Sequence, residues 1–158
     1  RQAGEFLRAW GLARREEALE GVVPLQKRLE RLDPLAAECC GEPGVVECVR
    51  ATRVWLLVSE DRIDEALQAA EGFWAQYETS PEWAGHVGLA LGHRLIRDGR
   101  LDDARHVFDK TLAACGPKAT KTLRGALTGL LLVAAEKGDK AEEKRLREEL
   151  GKVHGGDG

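Results

Sequence analysis

Proline is scarce in this chain of 158 residues, at five, and aromatic side chains make up only 5% of it. Serine is scarcer still, confined to Ser59 and Ser80. No apolar run approaches the roughly 20 residues that a membrane-spanning helix needs; the best is Leu130 to Ala135. Each shortage excludes something. Few strand formers and little apolar–polar alternation argue against a sheet protein. Few prolines, beside 43% hydrophobic and 32% charged residues, argue against general disorder. The serines sit in no GxSxG, and neither HExxH nor CxxC occurs, so a catalytic site would lack motif support. No catalytic residue and no cofactor is assigned.

Cysteine is limited to Cys39, Cys40, Cys48 and Cys115. Zinc would want paired CxxC spacings, so no metal site is expected. Reduced, buried thiols are the plain reading. A disulfide from Cys39 or Cys40 to Cys48 is the alternative in an oxidising compartment. The net charge of −3 gives no reason to meet nucleic acid or an anionic membrane. It is unevenly spread: acidic side chains outnumber basic ones between residues 35 and 116, and the reverse holds from 117 to 154. The chain begins at Arg1 without an initiator methionine, as expected of a processed product or an excised fragment, so a signal peptide stays possible. The compartment is left open, with a lean to the cytoplasm.

What is abundant is helical periodicity. Ile63, Ala66, Leu67, Ala70, Trp74 and Tyr77 recur at helical spacing, with Asp61 as a candidate N-cap. Ser80-Pro81 reads as a helix start, and Asp98-Gly99 ends that helix after about Arg97. Leu101, Ala104, Val107, Phe108 and Leu112 form the next buried stripe, which stops at Cys115-Gly116. A long helix then runs to Lys137, with Gly138 as its left-handed closing residue; Asp139 and Glu142 form a capping-box-like start for the last. Upstream, Phe6, Leu7, Trp10 and Ala13 indicate one helix, and Val22, Leu25, Leu29 and Leu32 another, with a break at Gly21 to Pro24. Asp33-Pro34 is expected to end that unit, with a short helical piece through Ala37 and a full helix from about Val45 to Ser59.

The turns repeat. Asp61-Arg62-Ile63-Asp64-Glu65-Ala66, Gly99-Arg100-Leu101-Asp102-Asp103-Ala104 and Gly138-Asp139-Lys140 follow one another at about 38 residues, each between two helices. A helical hairpin recurring at a fixed period is the mark of a solenoid. The middle unit carries Leu91-Gly92, Leu95, Ala104, Phe108 and Pro117, and in these residues it resembles the tetratricopeptide repeat. Gly88 stands where that family has tryptophan, the proline comes one residue late, and the period exceeds the family's usual length of about 34 residues. Ala66 alone keeps its place in the preceding unit; Glu143 and Arg147 replace the alanine and phenylalanine in the following one.

The resemblance implies an all-α fold of antiparallel helical hairpins, stacked as a short right-handed solenoid. The expected layout is one domain over 1–154: irregular helices over 1–40, three hairpin units over 45–154, then a flexible tail at 155–158. In such arrays the first helix of each hairpin lines a concave groove. Counting back from the turns gives Cys48, Ala51, Trp55 and Val58, then His86, Leu89, His93 and Ile96, then Thr128, Leu132 and Ala135. That surface is mostly apolar. The lysine, arginine and asparagine with which chaperone-binding members clamp a carboxylate are absent from it. Trp55 is the natural anchor for a partner; self-burial by the N-terminal helices is the bland alternative.

Lys118, Lys121 and Arg124 make a secondary basic stripe, with an ordinary solvated helix face as its plain reading. His86 and His93 lie seven residues apart, roughly 10 Å along a helix, too far to share a metal unaided. Gly85, Gly88 and Gly92 fit close helix packing better than a phosphate loop. The expected function is a protein-binding scaffold or adaptor. The alternatives are a sensor or regulatory arm of a larger regulator or secretion protein, and, without motif support, an enzyme. The expected partner is a protein helix or extended segment; no nucleic acid and no membrane insertion is expected, and the oligomeric state is open.

Overall fold

Seven α-helices and no strand make up the regular structure of the described residues, which are 24–38, 43–76, 81–115 and 118–155 of the computed structural model. The helices are α1 Leu25–Glu38, α2 Pro43–Ser59, α3 Ile63–Gln76, α4 Pro81–Arg97, α5 Leu101–Ala114, α6 Thr120–Lys137 and α7 Lys140–Gly155. The expectation of an all-α protein therefore holds. Contacts divide the chain after Tyr77 into two compact units.

In the first unit α1 and α3 each pack on α2. Leu29 and Leu32 of α1, Val46, Val49, Val54, Leu56 and Leu57 of α2, and Ile63, Ala66, Ala70 and Phe73 of α3 are its buried apolar side chains. Helix α1 differs from expectation: it runs straight through Asp33-Pro34. Pro34 is exposed, and like any proline inside a helix it forgoes one backbone hydrogen bond and crowds the carbonyl four residues back. In α3 the stripe is Ile63, Ala66, Ala70 and Phe73, with Trp74 at its half-buried edge. The helices proposed around Phe6 to Ala13, the break at Gly21, and Tyr77, Cys39, Cys40 and Ser80 lie outside the described residues.

In the second unit α4 packs on α5 and on α6, α5 on α6, and α6 on α7. Val87, Leu91 and Leu95 point inward from α4, and Ala104, Val107 and Phe108 from α5. Ala126, Leu127, Leu130, Val133 and Ala134 do so from α6, and Leu146 from α7. Thr111 is fully buried and donates its hydroxyl to the Val107 carbonyl at 2.8 Å, which satisfies it without a second partner.

The three recurring turns have one geometry. Asp61, Gly99 and Gly138 all take a left-handed backbone, with φ of 62, 76 and 70°. At each turn two N–H groups fold back onto the preceding helix. Asp61 and Arg62 donate to the carbonyls of Val58 and Leu57 (3.1 and 2.9 Å), and Gly99 and Arg100 to those of Ile96 and Leu95 (3.0 and 2.9 Å). Gly138 and Asp139 do the same to Ala135 and Ala134 (3.1 and 2.9 Å). This paired closure is the Schellman motif, which satisfies carbonyls left over at a helix end. Asp61 thus closes α2 with its backbone, and Arg62 occupies the position before the first residue of α3. Asp139 does cap α7, accepting the Glu142 N–H at 3.1 Å. The expected return bond from Glu142 is replaced by its pairing with Arg145 at 2.6 Å.

Candidate functional site: the face shared by α4 and α6

Small residues set the geometry of the second unit. A side-chain carbon added at Gly92 would stand 2.5 Å from the tip of the Phe108 ring, and one added at Gly129 would stand 2.3 Å from the same atom. Phe108 therefore inserts its ring tip between a glycine of α4 and a glycine of α6. The same test places Gly85 beside Thr122 (2.6 Å), Gly88 beside Thr111 (1.7 Å) and Gly125 beside Leu89 (2.7 Å). Going up α4 from 85 to 89 to 92 thus matches going up α6 from 122 to 125 to 129. The two helices run parallel and in register, at a sequence offset close to the repeat period.

That register puts the expected residues of this unit on one surface. His86 and His93 are exposed, Leu89 and Ile96 half-buried, and all four share a face of α4 by helical spacing. Leu89 rests on Gly125, while Thr128, Leu132 and Ala135 continue the same face of α6 and are exposed. Leu132 is 44% exposed, the one large hydrophobic side chain so open among the described residues. The ring of His93 meets that of Phe108 edge-on at 5.6 Å, which ties the surface to the core. Trp83, which sequence reading passed over, lies 5.5 Å from His86.

Helical spacing also joins the basic stripe to this surface. Lys121, Gly125, Thr128 and Leu132 are separated by four, three and four residues, so they follow one line along α6. Lys121 is exposed, Arg124 half-buried, and Lys118 exposed just before the helix. From the offset, Lys121 lies level with Trp83 and His86, and Leu132 level with His93 and Ile96. The surface is basic at one end and apolar at the other, over roughly 16 Å of helix.

The groove positions in the first unit have a different character. Trp55 and Val58 are half-buried, while Cys48 and Ala51 are buried and belong to the core. Two further features of this unit had no sequence signal assigned to them. Arg28 is fully buried, and its guanidinium pairs with Glu60 at 3.4 Å while its Nε and Nη1 have no hydrogen-bond partner. A cavity of about 240 Å³ is lined by Asp33 of α1, Val49, Arg50 and Arg53 of α2, and Ala69, Gly72 and Phe73 of α3. Arg53 pairs with Asp33 across it.

Ion pairs knit the other surface of the second unit. Lys137 donates to Asp102 and holds that carboxyl below its ordinary value. Arg145 does the same for Glu142, and Arg105 adds to both. Cys115 is a half-buried thiol whose pKa is pushed up by burial. Among the described residues no three histidine, cysteine or acidic side chains gather as metal ligands do, and no helix is long and apolar enough to cross a membrane. No protein-family model matches the chain, and neither curated proteins nor solved structures gave a match.

Proposed function

We propose that this protein is a protein-binding scaffold or adaptor, built as a tetratricopeptide-like array of helical hairpins, and that the α4–α6 face receives the partner. The observation that carries the reading is Leu132, an exposed leucine on a surface that Leu89 and Ile96 continue and whose far end is basic. Parallel packing of α4 on α6 supports the repeat reading, since each hairpin's first helix then lies beside the next one's. The partner segment is a helix or extended strand, apolar at one end and acidic at the other. Apolar contacts supply most of its affinity, and the lysines set its direction and speed its arrival.

The test measures binding by a partner captured from the native source. Leu132→Asp and Leu89→Asp should each weaken binding by more than about 1 kcal/mol, as central apolar contacts do. Lys121→Glu should weaken it less and reduce its salt dependence. Trp55→Ala reports on the first unit in the same assay. Indifference to Leu132→Asp, Leu89→Asp and Lys121→Glu, with helicity retained, rejects this face.

A further inference from the structure

Helix α1 joins three features that each weaken a helix against its neighbour. Arg28 is fully buried, yet only its Nη2 finds a partner, Glu60 at 3.4 Å; Nε and Nη1 have none. A guanidinium carries five donors, and one that leaves water without filling them loses more in hydration than a single long contact returns. Pro34 lies inside the helix, so the carbonyl of Glu30, four residues back, receives no N–H and is crowded by the ring. Packing is one-sided as well. Among the described helices α1 packs closely on α2 alone, whereas α2 packs on α3 too.

What holds α1 down is Leu29 and Leu32, both buried, and the surface pairing of Asp33 with Arg53. The two ion pairs also fix how it lies. Going from 28 to 33 along α1 matches going from 60 back to 53 along α2, so the helices are antiparallel and this part of α1 covers the stretch of α2 between Arg53 and Glu60. Helix α7 likewise packs on a single neighbour, α6, but without these defects. Its start is capped by Asp139, it contains no proline, and none of its buried polar side-chain atoms lacks a partner.

We propose that α1 is a strap that lifts from α2 within the folded protein, while α2 and α3 stay packed, and so uncovers the stretch of α2 between Arg53 and Glu60. Lifting returns water to the Arg28 guanidinium, which offsets part of the cost of exposing Leu29 and Leu32. The strap rests on none of the residues of the α4–α6 face, so either assignment can fail alone.

Native-state amide hydrogen exchange of the full chain, followed by NMR at a series of low urea concentrations, tests this. The amides of Leu29, Arg31 and Leu32 should exchange about tenfold or more faster than those of Val54, Leu56 and Leu57, with a weaker urea dependence, because the opening exposes little surface. Pro34→Ala, which restores the missing donor at an exposed position, should slow the α1 amides by about tenfold or more. Glu60→Ala, which takes away the one partner of Arg28, should speed them by about threefold or more. Exchange of α1 in step with α2, at the same rate and with the same urea dependence, would overturn the proposal; so would α1 rates that neither substitution moves. Should either variant lose helicity, the comparison of α1 with α2 in the wild type decides it by itself.

Discussion

Gly129→Ala should destabilise the protein even though alanine is the better helix former. Two effects oppose each other at this position. Replacing a helix-interior glycine by alanine gains about 1 kcal/mol of backbone propensity. Against it, the new carbon would lie 2.3, 2.4 and 2.6 Å from the Cζ, Cε1 and Cε2 atoms of Phe108, whereas carbon atoms rest at about 3.5–4.0 Å. The ring must retreat by more than about 1 Å, and it has no slack: Phe108 is fully buried and its tip is already as close to Gly92. Overpacking of this kind costs about 1–3 kcal/mol, and here it lies toward the upper end, so the net loss should be about 1–2 kcal/mol. The sharper form of the prediction is a change of sign. Phe108→Leu removes the three ring atoms that cause the clash, and in that background Gly129→Ala should stabilise by up to about 1 kcal/mol. Urea unfolding of the wild type, both single variants and the double variant, followed by far-UV circular dichroism, gives the cycle. An effect of the same sign in both backgrounds would refute the notion that the Phe108 tip is what keeps position 129 a glycine.

The shared turn geometry makes a second prediction: Gly99→Ala and Gly138→Ala should each destabilise by about 1–2 kcal/mol, read from urea midpoints. Buried Arg28 makes a third. Arg28→Met should be neutral or stabilising, whereas Glu60→Ala, which strips the guanidinium of its partner, should cost more than an ordinary surface change in the same assay. The fourth concerns acid. Asp102 and Glu142 titrate below their ordinary values of 3.8 and 4.5, so their pairings stabilise the fold fully above those values and are lost as pH falls through the lowered ones. The stability gap between wild type and Lys137→Gln, present at neutral pH, should therefore close on acidification below 3.8; a gap that widened instead would reverse the sign of the argument.

Local chemistry is legible in a sequence wherever few residues decide the outcome, and here it was. The start and stop of α4, the start of α5 and the stop of α6 follow from Pro81, Asp98-Gly99 and Gly138, because a proline or a left-handed residue acts on its own turn regardless of the rest of the fold. The repeat period located all three turns for the same reason. For Asp61 the sequence suggested only a helix start; that its backbone also closes the previous helix shows only in its left-handed φ.

The apolar and basic stretches around the candidate face were readable too, but as rivals. Their union on one line of α6 needs only helical spacing, whereas their placement beside Trp83 and His86 needs the register of α4 against α6. That register is set by Phe108 between Gly92 and Gly129 and by Leu89 on Gly125, contacts between residues tens of positions apart.

Sequence by itself determined that the chain is helical, where most helices in its second half begin and end, and which side chains could be apolar together. Only the tertiary structure decided which of those are covered. It buried Cys48 and Ala51, chose Phe73 over Trp74, carried α1 through Pro34, left Leu132 open, and placed an empty volume in front of Gly72. The physical reason is that periodicity is a property of one helix, whereas burial depends on which other helices arrive against it.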